Sequence, residues 1–409
     1  MTWFTARRDT TLLFVTRSVR LFAYGFLSIV FVLYLARIGL AGPAIGLLLT
    51  LTLLGDAGIS LWITTRADRA GRRLMLIVGA GLMAVGGVGF IATNRLGLLM
   101  LAAVIGVISP SGNEIGPFLS IEQAALSQLV TDQQRTRVFA WYNLAGSVAT
   151  ALGALAGGWA TKLASRSGLS DLASYRLLLA CYAAAGLLLA ALFTRLSPAI
   201  ETPPPGVAIS GSRLGLHRSR GVVTRLSALF ALDAFAGGFV LQSVMAYWFH
   251  VRFGASAAAV GTLFFGANLL AAVSALLAHR IASRVGLVNT MVFTHLPSNA
   301  MLALVPLMPT MGLAMGLLLA RFAISQMDVP ARQSYTMAVV APDERAAAGG
   351  VTAIARSLGA GVAPAVGGAF LLTGSGTPFF LAGGLKIAYD LLFYRAFRRV
   401  PVPGDPARS

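Results

Sequence analysis

The chain is poor in charge. Only 11% of its 409 residues are Asp, Glu, Lys or Arg, against roughly 25% in soluble domains. Too few polar side chains remain to cover a water-facing surface of this size, which excludes a soluble fold. Lysine is scarcest: Lys162 and Lys386 are the only two, and arginine supplies nearly all of a formal charge of +18. On a soluble chain that balance would point to nucleic acid. Here the arginines fall mainly between apolar runs, so topology explains them and no nucleic-acid partner is expected. The single cysteine, Cys181, rules out an internal disulfide. His217, His250 and His279 are scattered, and no phosphate-binding loop or soluble-type catalytic set is visible. The sequence therefore predicts no metal, no cofactor and no enzyme activity.

Apolar runs take up the chain instead, with 57% hydrophobic residues and a mean hydropathy of +0.78. A membrane-spanning helix needs about 20 apolar residues. Runs of that order occur at 12–36, 43–65, 74–93, 96–128, 138–160 and 175–194, then at 223–249, 257–279, 286–308, 311–340, 350–372 and 377–397. The predicted fold class is an all-α integral membrane protein of twelve transmembrane helices. The run Pro203-Pro204-Pro205 with its Gly and Ser neighbours marks a linker. The expected organisation is a six-helix bundle at 1–195, a linker at 196–222 and a second six-helix bundle at 223–409. Arg17 and Arg20 interrupt the first apolar run, which reads as an uncleaved span rather than a signal peptide.

Arginine also orients the chain. With the N-terminus inside, the inner connections carry Arg66, Arg69, Arg72, Arg73, Arg135, Arg137, Arg213, Arg218, Arg220, Arg280, Arg284 and Arg345, whereas the outer ones carry few bases. The positive-inside rule places both termini and the linker in the cytoplasm; the dominance of arginine over lysine suggests a GC-rich bacterial source, and the expected location is the bacterial inner membrane.

The two halves echo each other. An offset of 215 takes Gly39 to Gly254, Gly46 to Gly261, Arg69 to Arg284 and Gly71 to Gly286; further along, 210 takes Gly106 to Gly316, Gln123 to Gln333, Arg135 to Arg345 and Gly157-Gly158 to Gly367-Gly368. This predicts two parallel six-helix repeats, an arrangement that places a substrate site where the halves meet.

Charge at bilayer depth costs at least about 2.5–3.5 kcal/mol per residue, so each instance needs a reason. Asp56 falls in the second span. In the fourth, Pro110, Gly112 and Pro117 should break the helix around Asn113 and Glu114, with Glu122 further along. The seventh holds Asp233 and Gln242; the tenth holds Arg321, Gln326, Asp328 and Arg332. The repeat matches Glu122 with Arg332 and Ser111 with Arg321. Asp56, Glu114, Asp233 and Asp328 are the candidate proton carriers, Glu114 foremost, because a buried carboxyl can bind and release a proton. Permanent interhelical ion pairs are the competing use. His295, in the ninth span, reads as a hydrogen-bonded packing residue.

Two motifs remain. Between the second and third spans stands Asp68-Arg69-x-Gly71-Arg72-Arg73, with Thr64 four residues before the acid; its second-half copy keeps Arg284 and Gly286 but has Ser283 for the acid. The fifth span carries Gly146-x6-Gly153-Ala154-x2-Gly157-Gly158, and the eleventh has Pro364 at the position equivalent to Ala154. Over essentially the whole chain these features resemble the major facilitator superfamily. The resemblance implies a secondary transporter that alternates access by rocking two halves. It implies a gating loop at Asp68, Arg69, Gly71, Arg72 and Arg73, and a cavity lined by spans one, four, seven and ten. Arg20, Tyr24, Asn113, Glu122, Gln242, Arg321, Gln326 and Arg332 would then be the candidate cavity residues. Gly153, Gly157 and Gly158 resemble the family's antiporter motif, with alanine in place of its proline. The expected function is proton-coupled export of a small organic solute or drug, with solute, protons and the lipid bilayer as partners and no obligate protein partner. Uptake or exchange of a small organic anion is the alternative, because Arg20, Arg321, Arg332 and Arg356 could bind a carboxylate or phosphate, and a non-transporting sensor or assembly factor is the alternative of another class.

Overall fold

No water is present at membrane depth to satisfy a backbone N–H or C=O, and a helix satisfies both within one segment. The computed structural model describes residues 3–112, 117–201, 217–341, 344–371 and 373–400, and among these there is no strand. The first half forms α1 (Trp3–Arg37), α2 (Gly42–Ala70), α3 (Arg72–Ala92), α4 (Leu96–Ile105), α5 (Phe118–Leu129), α6 (Asp132–Arg166) and α7 (Asp171–Phe193). The second forms α8 (Arg220–Gly238), α9 (Gln242–Phe253), α10 (Ala257–Val285), α11 (Leu287–Leu304), α12 (Met311–Phe322), α13 (Asp328–Ala338), α14 (Arg345–Leu371) and α15 (Thr377–Phe397). Among the described residues nine spans are long and apolar enough to cross a membrane, α8 and α9 counting as one. The broken pairs α4–α5 and α12–α13, together with α15 and its charges Lys386, Asp390 and Arg395, complete twelve crossings.

The breaks differ in origin. Between α4 and α5 lie the expected Pro110 and Gly112, the latter at φ +69°. The carbonyls freed there find partners: Tyr182 Oη donates to Val107 O, Ser243 N donates to Pro110 O at 3.2 Å, and Thr150 Oγ1 donates to Gly112 O at 3.5 Å. Asn113 and Glu114 lie outside the described residues. The break at 323–327 was not expected, because 311–340 reads as one apolar run. It ends where α13 begins, and Pro330 falls in the first turn of α13, where a missing N–H costs nothing.

Two compact units form, Met1–Val207 with Gln242–Phe265 and Ala208–Leu241 with Gly266–Ser409. In the first, α1 packs along α6 and α3 along α7; in the second, α8 packs along α14 and α11 along α15. The repeat therefore extends to the packing. Gly39 and Gly254 share positive φ angles of 89° and 65°, as Gly71 and Gly286 do at 102° and 85°. Arg135 Nη2 donates to Ser127 O at 3.3 Å, and its counterpart Arg345 Nε donates to Met337 O at 2.9 Å. A Cβ on Gly25 would lie 2.2 Å from Thr150 O, and one on Gly238 would lie 2.5 Å from Ala360 O. Since Thr150 and Ala360 are 210 positions apart while Gly25 and Gly238 are 213 apart, α1 matches α8 at an offset of 213.

The glycines of the fifth span have a packing role. A Cβ on Gly153 would meet Phe22 O at 2.1 Å, one on Gly157 would meet Phe26 Cβ at 2.7 Å, and one on Gly158 would meet Ala257 O at 2.3 Å. Gly153→Ala should force α1 and α6 apart and destabilise by about 1–3 kcal/mol, as overpacking does. Gly58→Ala, which meets nothing within 4 Å, should instead stabilise α2 by about 0.5–1 kcal/mol. Thermal unfolding of the two variants in detergent should shift in opposite directions.

Candidate functional site

In the first unit, Thr16, Arg20 and Tyr24 fall four residues apart on α1 and so share one face. That face meets Glu122 of α5. Arg20 Nη1 and Nη2 donate to the two oxygens of Glu122 at 2.9 and 2.6 Å, Thr16 Oγ1 donates at 3.2 Å, and Tyr142 Oη of α6 donates as well. The Arg20 guanidinium also lies 4.5 Å from the Phe118 ring centroid. Both charged residues are fully buried. A forked guanidinium on a carboxylate, with the remaining lone pairs filled, is the geometry in which a buried ion pair recovers its desolvation cost.

The second unit builds a larger network from similar four-residue spacings. α13 presents Asp328 and Arg332, α15 presents Lys386 and Asp390, and α11 presents His295 and Asn299. They converge on Asp233 of α8. Its Oδ1 accepts from Lys386 Nζ at 2.5 Å; its Oδ2 accepts from Arg332 Nη1 at 3.2 Å and from Arg356 Nη1 of α14 at 3.0 Å. Arg332 Nη1 also reaches Asp328 at 3.1 Å. His295 Nδ1 lies 2.8 Å from Asp390 Oδ1, Asn299 Nδ2 donates to Asp390 Oδ2 at 2.8 Å, and His295 Nε2 lies 4.0 Å from Asp233 Oδ1.

At the offset of 213, Arg20 corresponds to Asp233; at 210, Glu122 corresponds to Arg332. The same two helix positions thus carry an ion pair in each unit, with the signs reversed.

Arg20, Glu122 and Arg332, candidate cavity residues, stand in buried ion pairs. Asp233 and Asp328, candidate proton carriers, are both engaged by cations. Tyr24 is fully buried and stacks on Tyr182, ring centroids 6.2 Å apart. Gln242 Nε2 donates to Ser28 Oγ at 2.7 Å, and the backbone N of Gln326 donates to Ser274 Oγ at 3.3 Å. His295 is hydrogen-bonded as expected, but inside the network. Lys386, Asp390 and Asn299 were missed, and Arg356, a candidate anion-binding base, is bound to Asp233. The pair Lys386 and Asp390, one turn apart in an apolar span, was the available signal.

Asp56 and Arg321 have no opposite charge at hydrogen-bond distance among the described residues. Asp56 of α2 is 1% exposed, and neither carboxylate oxygen has a hydrogen-bond partner among the described residues. It follows Gly55, where α2 meets α4 so closely that a Cβ would lie 2.4 Å from Val104 O. Arg321, the penultimate residue of α12, is 8% exposed, and its Nε has no partner among the described residues.

The expected gating loop is shorter than a loop. α2 runs through Arg69 to Ala70, and Gly71 alone separates it from α3. The Asp68 side chain lies outside the described residues. Glu201 accepts from the backbone N–H of Arg72 at 2.6 Å and of Arg73 at 3.2 Å, at the N-terminus of α3 where a negative charge is favoured. Glu344 does the same for the approach to α8: the backbone N–H groups of His217, Arg218 and Ser219 donate to it at 2.7–2.9 Å. Burial pushes the Glu344 carboxyl up, but these hydrogen bonds outweigh it and hold the group at about 2.

A family model described as the Major Facilitator Superfamily matches residues 13–364. The chain belongs to the major facilitator superfamily. An uncharacterized membrane protein of Saccharomyces cerevisiae is 30% identical over 421 aligned residues, covering 95% of this chain and 93% of that protein. Among solved structures, a mutant of the nucleoside transporter NupG shares the fold at a TM-score of 0.75 with 13% identity, over 95% of this chain and 99% of that one. A bacterial homolog of the human lysosomal transporter Spinster, inward-facing and unoccupied, does so at 0.73 with 15% identity, over 96% and 97%. A D-xylose–proton symporter matches at 0.68 with 15% identity, over 97% and 98%.

Removing one partner of a buried pair leaves the other charge uncompensated, which costs about 3–5 kcal/mol. Glu122→Gln should therefore lower the melting temperature in detergent sharply, and the double change Arg20→Met with Glu122→Leu should recover most of the loss. For Glu344 the folded value lies below the ordinary 4.5. Its stabilisation is thus fully present above that value and is lost as pH falls toward about 2. The melting-temperature gap between the unmodified protein and Glu344→Gln should be constant above pH 4.5 and close below it.

Proposed function

We propose that the chain is a secondary active transporter that couples the movement of a small organic solute to proton movement, with Asp56 carrying the proton. Proton antiport is the direction to which the glycine pattern of the fifth span points. The observation that supports coupling at Asp56 is its isolation. Glu122 and Asp233 each have cations at hydrogen-bond distance, whereas an ionised Asp56 would give up its water hydrogen bonds and receive none in return from the described residues. Binding a proton removes that cost. A second conformation that admits water to Asp56 would release the proton, so the proton-bound and proton-free forms favour different states. Glu114 is the second candidate.

The test uses inside-out vesicles containing the protein, acidified within and loaded with a pH-sensitive dye, and a panel of lipophilic cations, neutral drugs and organic anions. At least one compound should discharge the gradient with the unmodified protein and fail to do so with Asp56→Asn. Discharge retained in Asp56→Asn but lost in Glu114→Gln would move the carrier to Glu114. Solute flux indifferent to the gradient in every variant would end the proton-coupled reading.

A further inference from the structure

We propose that Arg321 and Ser325, at the break between α12 and α13, bind an oxyanion group of the transported solute, a carboxylate or a phosphate. Charge balance supports this. In the buried network of the second unit three carboxylates, Asp233, Asp328 and Asp390, stand with three cations, Lys386, Arg332 and Arg356, around a histidine. Arg321 is a fourth cation. Asp233 and Asp328 lie within its electrostatic reach, yet both are taken up by other bases and neither forms an ion pair with it. The centroid of the Phe322 ring lies 5.0 Å from its guanidinium carbon.

The break supplies a second donor. Ser325 N donates to Arg321 O at 2.9 Å, so the chain completes one helical turn there and Ser325 falls on the same face as Arg321. Ser325 is 4% exposed and its hydroxyl has no partner among the described residues. A buried guanidinium whose Nε is unsatisfied and a buried, unsatisfied hydroxyl sit one turn apart among the described residues. Leaving such donors unpaired is costly, and a guanidinium fork with a nearby hydroxyl suits a planar carboxylate or a phosphate. Transport of the bound anion rests on the function proposed above; binding at Arg321 does not.

Binding is therefore measured without flux, on the purified full-length protein in detergent at fixed pH and ionic strength. Melting temperature is followed against acetate, succinate, inorganic phosphate and chloride. Succinate or phosphate should stabilise the unmodified protein saturably where chloride does not, and whichever acts identifies the carboxylate or the phosphate as the group recognised. In Arg321→Gln the saturable shift should weaken at least tenfold while the anion-free melting temperature rises, since an unpaired buried charge has been removed. Ser325→Ala should weaken the shift less, and Asp56→Asn should retain it, which separates failure of proton coupling from failure of this site. A shift unchanged in Arg321→Gln, a fall in the anion-free melting temperature of that variant, or no stabilisation of the unmodified protein by any of the anions would overturn the assignment.

Discussion

A charge buried at membrane depth must be met by an opposite charge at the same depth, and the polar interior of this protein follows from that constraint. Desolvating an ion costs several kcal/mol, and only close pairing with filled hydrogen bonds offsets it. Each unit meets the requirement from its own helices. Arg20, Tyr142 and Thr16 gather on Glu122 in the first, and Asp233 collects Lys386, Arg332 and Arg356 in the second. Against that background Asp56 and Arg321 stand apart. They are buried and no described residue places an opposite charge at hydrogen-bond distance, and an unmet charge lowers stability, so the ligands proposed for them, a proton for one and an anion for the other, give each a reason to be there.

The sign reversal between the units shows how the repeat is used. α1 and α8 hold equivalent positions, as do α5 and α13, and each pair of helices is joined by one ion pair. What the fold requires there is a link of opposite charges. Which helix carries the base is free, since the pair is neutral either way. The glycine contacts are stricter: Gly25 against Thr150 and Gly238 against Ala360 keep the same geometry in both units, because backbone approach leaves no room for a side chain.

The fold was largely legible in the sequence because it is governed by hydropathy, which one chain displays directly. The crossings, the break at Pro110 and Gly112, and the repeat-related glycines all leave local signals. The break at 323–327 leaves none, since Pro330 marks the start of α13 rather than the interruption before it. The site was legible only as an inventory. Asp56, Glu122, Asp233, Arg321 and Arg332 stood out as charges in apolar runs, but nothing local distinguishes a paired carboxylate from an isolated one. The offset of 215, sound for Gly39 and Gly71, slips to 213 in α1, and that shift of two hid the correspondence of Arg20 with Asp233. Lys386 and Asp390 were overlooked despite carrying the same signal as the others.

The central claim is that Asp56 holds a proton while Glu122, Asp233 and Asp328 hold cations. Infrared difference spectroscopy of the protein in lipid, unmodified minus Asp56→Asn at neutral pH, tests it most directly. The account predicts a band from a protonated carboxyl C=O that shifts in heavy water and is absent in the variant. A difference spectrum carrying only ionised-carboxylate bands would contradict it, and Asp56 would then be one more charge whose partner the protein supplies itself.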